Sequence, residues 1–143
     1  MTDEITPADI QRMFTDGYTG PLGLVIDEVS PDRLVCHWNV EPAHWQPYGV
    51  THGGVYCTVV ETVASIAGTL WLGEDGQVVG VSNHTDFLRA VREGQLTAVG
   101  TPVHRGRLQQ LWLVEIRDQR ERLVARGQVR LQNLRREDQL ATA

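Results

Sequence analysis

Lysine is absent from this chain of 143 residues, and the 13 basic positions are all arginine. Positive charge is also outnumbered, 13 basic against 18 acidic residues for a net charge of −5. That balance excludes a sequence-independent nucleic-acid binder, which needs a basic face to exchange counterions with phosphates. Any anionic ligand must therefore be met by a local cluster of arginines. Cysteine is scarce: Cys36 lies in an alternating segment and Cys57 in an apolar one, without disulfide-framework or zinc spacing. Both are expected to be free core thiols. Internal repeats and low-complexity tracts are missing, and the length suits one domain over 1–143 with one core. The opening MTDEITPADIQRM is acidic and has no apolar h-region, so the expected location is cytoplasmic.

Long apolar runs are missing too, with one exception between Gly53 and Leu72. It reads GGVYCTVVETVASIAGTLWL and holds a single charge, Glu61, near its centre. About five helical turns would suit a buried helix or a membrane span on length alone. Glu61 and the hydroxyls of Thr58, Thr62, Ser65 and Thr69 argue against the membrane. A lone carboxylate in a core helix is costly unless it has a partner or a task.

Around this helix the pattern is regular. Pro7 to Phe14 suits a short amphipathic helix with Thr6 as N-cap, and residues 1–20 form an N-terminal helix and turn. Strand patterns run over Leu22–Val29 and Arg33–Val40, joined by a Ser30-Pro31-Asp32 turn. Four more follow the long helix, over Gln77–Leu88, Gln95–His104, Gln109–Arg117 and Arg122–Gln132. Short connections favour antiparallel pairing, and the economical architecture is α+β, one apolar helix wrapped by a curved antiparallel sheet of about five to six strands. Arg117, Arg120, Arg122, Arg126, Arg130, Arg135 and Arg136 read as a solvated face, and residues 134–143 as a flexible tail.

Four features converge at the helix start. Gly53 and Gly54 follow His52 where loop becomes helix, so open N–H groups at the positive dipole end face a ligand without obstruction and can stabilise a carbonyl oxygen that gains charge. Glu61 can serve as nucleophile or general base. Ser65 lies one turn further on the same face and can hold a water or orient the carboxylate. Gln46 and His52, in the preceding loop, are donors to a substrate carbonyl. Gly53 and Glu61 are about 12 Å apart along one helix axis, at about 1.5 Å per residue, too far for both to reach one reacting carbonyl. Antiparallel pairing of two such helices across a twofold axis brings Gly53 of one subunit opposite Glu61 of the other, which predicts a homodimer with two sites at its interface.

The segment Gln46-Pro47-Tyr48-Gly49-Val50-Thr51-His52-Gly53-Gly54, followed by Glu61 and Ser65, resembles the hotdog-fold acyl-CoA thioesterases. The similar branch has a catalytic glutamate and includes aryl-CoA, 4-hydroxybenzoyl-CoA and 1,4-dihydroxy-2-naphthoyl-CoA hydrolases. The resemblance continues through Gly80-Val81-Ser82-Asn83-His84, Phe87-Leu88-Arg89 and His104-Arg105-Gly106-Arg107. It implies a hotdog fold and hydrolysis of an acyl-CoA thioester without metal or other cofactor. Glu61 becomes nucleophile or base, Gly53 the backbone donor to the thioester oxygen, Gln46 and His52 the groups placing that carbonyl, and Ser65 the aid to the water. Ser82 and His84 are implied on the substrate, Arg89 and Arg107 on the CoA phosphates, and a dimer often doubles to a homotetramer. Arg89 is followed by Ala90, where many relatives carry proline. Two rival functions fit the same residues, a hotdog dehydratase using His52 and a non-catalytic acyl-CoA-binding module. A zinc site from His52 and Glu61 lacks a third ligand at suitable spacing.

Overall fold

In the computed structural model, residues 5–135 are described. Helix α1, Pro7–Thr15, is capped by Thr6, whose hydroxyl accepts from the Asp9 N–H while the Asp9 carboxylate accepts from the Thr6 N–H. Ile10 and Phe14 are its buried side. A 3₁₀ turn, Gly17–Leu22, follows where a strand from Leu22 is predicted. Gly20 and Pro21 deny the chain extended pairing there, and strand β1 begins only at Val25, running Val25–Ser30.

Strand β2 (Arg33–Val40) buries Leu34, Cys36, Trp38 and Val40, as the period-2 pattern demands. Helix α2 then spans Gly53–Leu72, ended by Gly73 at positive φ. Strands β3 (Gly76–Phe87), β4 (Gly94–Arg105), β5 (Gln109–Asp118) and β6 (Leu123–Arg135) complete the chain. Leu134 and Arg135 thus belong to β6; the remainder of the predicted tail, with Arg136, lies outside the described residues.

All six strands form one antiparallel sheet in the order β1-β2-β4-β5-β6-β3. The chain crosses over from β3, at one edge, to β4, beside β2, and α2 lies across the inner face. By length and composition α2 is long and apolar enough to cross a membrane. Here Val59, Val60, Val63 and Ala64 are fully buried against Trp38, Leu96, Trp112 and Val129 of the sheet, so its hydropathy is spent on the core. Cys36 is buried and Cys57 half-buried, both as free thiols. Burial among apolar groups raises the Cys36 thiol to about 12.

β3 forms one edge of the sheet. Among the described residues only β6 pairs with it, and Val81, Phe87 and Leu88 at and just after the strand are exposed. Its register against β6 shifts between Gly80 and Ser82, a bulge that changes which side chains face inward from that point.

Candidate active site

The loop between β2 and α2 is anchored before it reaches the helix. The His52 N–H donates to the His44 carbonyl (2.8 Å), the Thr51 N–H to the Val91 carbonyl (2.8 Å), and the Trp45 indole N–H to the Arg92 carbonyl (2.8 Å). Gln46 closes a turn through the Gln46 N–H to Val50 carbonyl bond (2.8 Å) and the Gly49 N–H to Gln46 carbonyl bond (2.9 Å), with Gly49 at φ 78°. The Gln46 side-chain oxygen accepts from the Tyr48 N–H, which leaves its amide N–H groups to donate outward.

His52 is the N-cap of α2: its Nδ1 accepts from the Gly54 N–H at 2.8 Å. A neutral ring in that arrangement carries its proton on Nε2, which faces away from the helix as a donor. The Gly53 N–H has no acceptor inside the helix and the cap takes its neighbour instead, so it stays open at the positive end of the dipole. The Phe87 ring lies against Gly53, and a β-carbon there would stand 2.4 Å from its Cε2. Phe87 also meets the Tyr56 ring, with centroids 5.9 Å apart. A cleft of about 500 Å³ opens beside this corner, walled by Tyr18, Leu22, Trp45, His52, Val55 and Thr58. Trp45 therefore joins an apolar wall, whereas Tyr48 is in solvent and Tyr56 is buried.

Glu61 is half-buried two turns further along, on the β3 side of α2. Its Oε2 accepts from the Asn83 amide N–H at 3.1 Å. Its Oε1 takes the space of a side chain at Gly80, where a β-carbon would lie 2.1 Å from it. No arginine or histidine forms an ion pair with Glu61 among the described residues. Ser65 is half-buried one turn beyond, its carbonyl accepting from the Thr69 hydroxyl at 2.8 Å.

Ser82 and His84 do not join Glu61 within the chain. They pair with Arg130 and Gln128, both on the outer face, and His84 Nε2 lies 3.5 Å from Asp86 Oδ1. Inward-facing positions after the bulge are Asn83, Thr85 and Phe87, opposite Val129, Gly127 and Ala125. Asn83 and Gly80 were thus missed as site residues. An isolated glycine in a strand pattern is a signal of a bulge or a close backbone approach, and Gly80 carries both. Arg89 and Arg107 are also separated. The Arg89 N–H donates to the Val124 carbonyl and the Arg107 carbonyl accepts from the Asn133 amide, at opposite ends of β6 and about 30 Å apart at about 3.3 Å per residue.

The family model described as "Thioesterase superfamily" matches residues 48–125, which include the helix and the β3 edge. A crystal structure of AziG from S. sahachiroi is 54% identical, covers 83% of this chain and 97% of its own, and superposes with a TM-score of 0.81. A thioesterase structure from Haemophilus influenzae is 32% identical, covers 93% of each chain, and reaches a TM-score of 0.86. The 1,4-dihydroxy-2-naphthoyl-CoA hydrolase of Escherichia coli is 31% identical over 120 residues, 84% of this chain and 88% of that protein. Coverage this complete, with TM-scores of 0.81 and 0.86, places the chain in the thioesterase superfamily as a thioester hydrolase of hotdog fold.

Proposed function

We propose that the chain hydrolyses an aryl- or medium-chain acyl-CoA to the free acid and CoA, working as a homodimer with two sites at its interface. The observation that carries this reading is the pairing on one helix of an open Gly53 N–H with a buttressed, unneutralised Glu61 carboxylate about 12 Å away along the axis. Two α2 helices laid antiparallel bring each donor to the other subunit's carboxylate. The exposed β3 edge with its apolar Val81, Phe87 and Leu88 supports such pairing, because an unpaired edge of 12 residues is a template for another strand.

In this site the Gly53 N–H polarises the thioester carbonyl, and the charge that develops on oxygen is met by the helix dipole. Gln46 and the His52 Nε2–H fix the carbonyl's direction. The partner's Glu61 carboxylate either attacks the acyl carbon, expelling CoA thiolate and leaving an acyl-Glu61 anhydride that water then hydrolyses, or takes a proton from the attacking water, which Ser65 holds, and passes that proton to the departing sulfur. Either way one water is consumed: its oxygen ends in the free acid and a proton from it ends on the CoA sulfur. The cleft beside Trp45 is within the usual size of a small-molecule site and seats the acyl group. The name of the Escherichia coli relative supports an aryl-CoA substrate. Ser82, His84, Arg89 and Arg107 are proposed to meet the CoA portion, with Arg89 and Arg107 supplied by different subunits. No cofactor takes part, the expected compartment is the cytoplasm, and two dimers are proposed to associate as a tetramer.

Thiol release across aryl- and alkyl-CoA thioesters, followed with a colorimetric thiol reagent for wild type and Glu61→Ala, tests the reading. Loss of release in a variant that stays folded and dimeric is expected. Wild-type turnover by Glu61→Ala, or hydration of an enoyl thioester without thiol release, overturns it.

A further inference from the structure

We propose that Asn83 is a positioning residue for the Glu61 carboxylate, with Thr85 setting the direction of its amide. This rests on the reading of Glu61 as the reacting carboxylate. The Asn83 amide nitrogen donates one bond to Glu61 Oε2 (3.1 Å) and one to the Cys57 carbonyl (3.1 Å), while its oxygen accepts from the Thr85 hydroxyl (2.7 Å). The reverse orientation would set the amide oxygen against two acceptors and is excluded on that ground. Thr85 thus fixes the amide, and the amide fixes the carboxylate.

The Cys57 carbonyl is the group one turn before Glu61 on α2. By bridging it to Oε2, Asn83 ties the end of the Glu61 side chain back to its own helix and removes rotamers a half-exposed glutamate would otherwise visit. On the other side Oε1 occupies the space that a side chain at Gly80 would fill. A carboxylate tied at Oε2, with room for Oε1 only because residue 80 has no side chain, is limited in the orientations it can take, which is what attack on a carbonyl within about 3 Å requires.

Asn83 reaches Glu61 because of the bulge. Strict alternation from Gly80, which faces α2, would turn residue 83 outward; the extra residue between Gly80 and Ser82 returns it to the inner face opposite buried Val129. A neutral partner also matters: an arginine here would neutralise the charge that the reaction uses, whereas an amide orients it without cancelling it. Cys57, half-buried on α2, is the ionisable neighbour on the helix, and Asp86, His84, Arg126 and Arg130 of β3 and β6 face the outer side.

The test is a double-mutant cycle read by steady-state thiol release with one aryl-CoA thioester. Asn83→Leu should lower kcat about 10- to 100-fold and move KM less than about threefold. Asn83→Asp, isosteric but without an N–H toward Glu61, should lose as much, and Thr85→Val a smaller, several-fold amount. In a Glu61→Ala background Asn83→Leu should cost nothing further, since its effect passes through the missing carboxylate. Should Asn83→Leu not fold, Asn83→Asp carries the same cycle. Unchanged kcat in Asn83→Asp, a loss confined to KM, or the same fractional loss with and without Glu61 overturns the proposal. Wild-type turnover by Glu61→Ala instead removes the reading beneath it, so the two failures are distinguishable.

Discussion

Gly80→Ala isolates the placement of the Glu61 carboxylate from its presence. The added methyl would stand 2.1 Å from Oε1 and 3.2 Å from Cδ, while real contacts of this kind stay above 3.0 Å, so the carboxylate must retreat by at least 0.9 Å. Gly80 does not have positive φ, so alanine meets no backbone strain, and it relieves about 0.5–1 kcal/mol of glycine's entropic cost in a strand. That gain offsets part of the crowding. The melting temperature should therefore stay within about 4 °C of wild type, the shift expected for about 1 kcal/mol in a domain of this size. Activity should not: a displacement of about 1 Å of a reacting group costs on the order of 100-fold in rate, and the carboxylate that Asn83 bonds at 3.1 Å cannot shift without disturbing that bond. The assay pairs thermal unfolding with kcat for thiol release. A Gly80→Ala protein that is folded and turns over at the wild-type rate would refute the reasoning, because the place Oε1 occupies beside Gly80 would then be irrelevant to chemistry.

Other outcomes follow from the same geometry. His52→Ala removes the α2 cap and should cost about 1 kcal/mol of stability; His52→Asn restores the cap but not the Nε2–H, so denaturant melts should recover while kcat stays low. Burial holds the Cys36 thiol protonated up to about 12, whereas the unfolded chain ionises it near 9.0. The unfolded state then binds fewer protons, and stability should fall between those values with a slope approaching about 1.4 kcal/mol per pH unit, a component absent from Cys36→Ala in alkaline urea titrations. Burial raises the Tyr56 hydroxyl as well, adding a loss of the same sign above 10.0. Arg107→Gln should raise KM about tenfold for a CoA thioester and leave the matching pantetheine thioester unaffected, as loss of one charged contact to a phosphate requires; an equal rise for both substrates would remove Arg107 from the CoA site.

Much of this fold was legible because its signals are periodic. The alternation from Leu34 to Val40 survives as β2, and the glycines at 53 and 73 bracket α2 at both ends. The segment from Leu22 was misleading for a local reason: its apolar residues suit a strand, but Gly20-Pro21 carries it into a 3₁₀ turn first. At the site, the residues with chemistry at the helix start were visible in the chain, since His52, Gly53 and Glu61 sit on one regular element whose spacing converts directly to distance. Ser82, His84 and Asn83 were not separable, because one bulge inverts which of them faces the helix.

The sequence by itself determined the element order, the single charge in the core helix and the separation of Gly53 from Glu61, since each depends only on local period and spacing, while the family was legible as a resemblance carried by the motifs from Gln46 to Ser65. Tertiary structure alone decided that Asn83 bonds the carboxylate and bare Gly80 makes room for it, that Ser82 and His84 turn away from it, and that Arg89 and Arg107 stand at opposite ends of the sheet. Those facts depend on strand register, which the pairing of β3 with β6 sets across more than 40 residues of chain, and a shift of one residue in that pairing reverses every side chain after it.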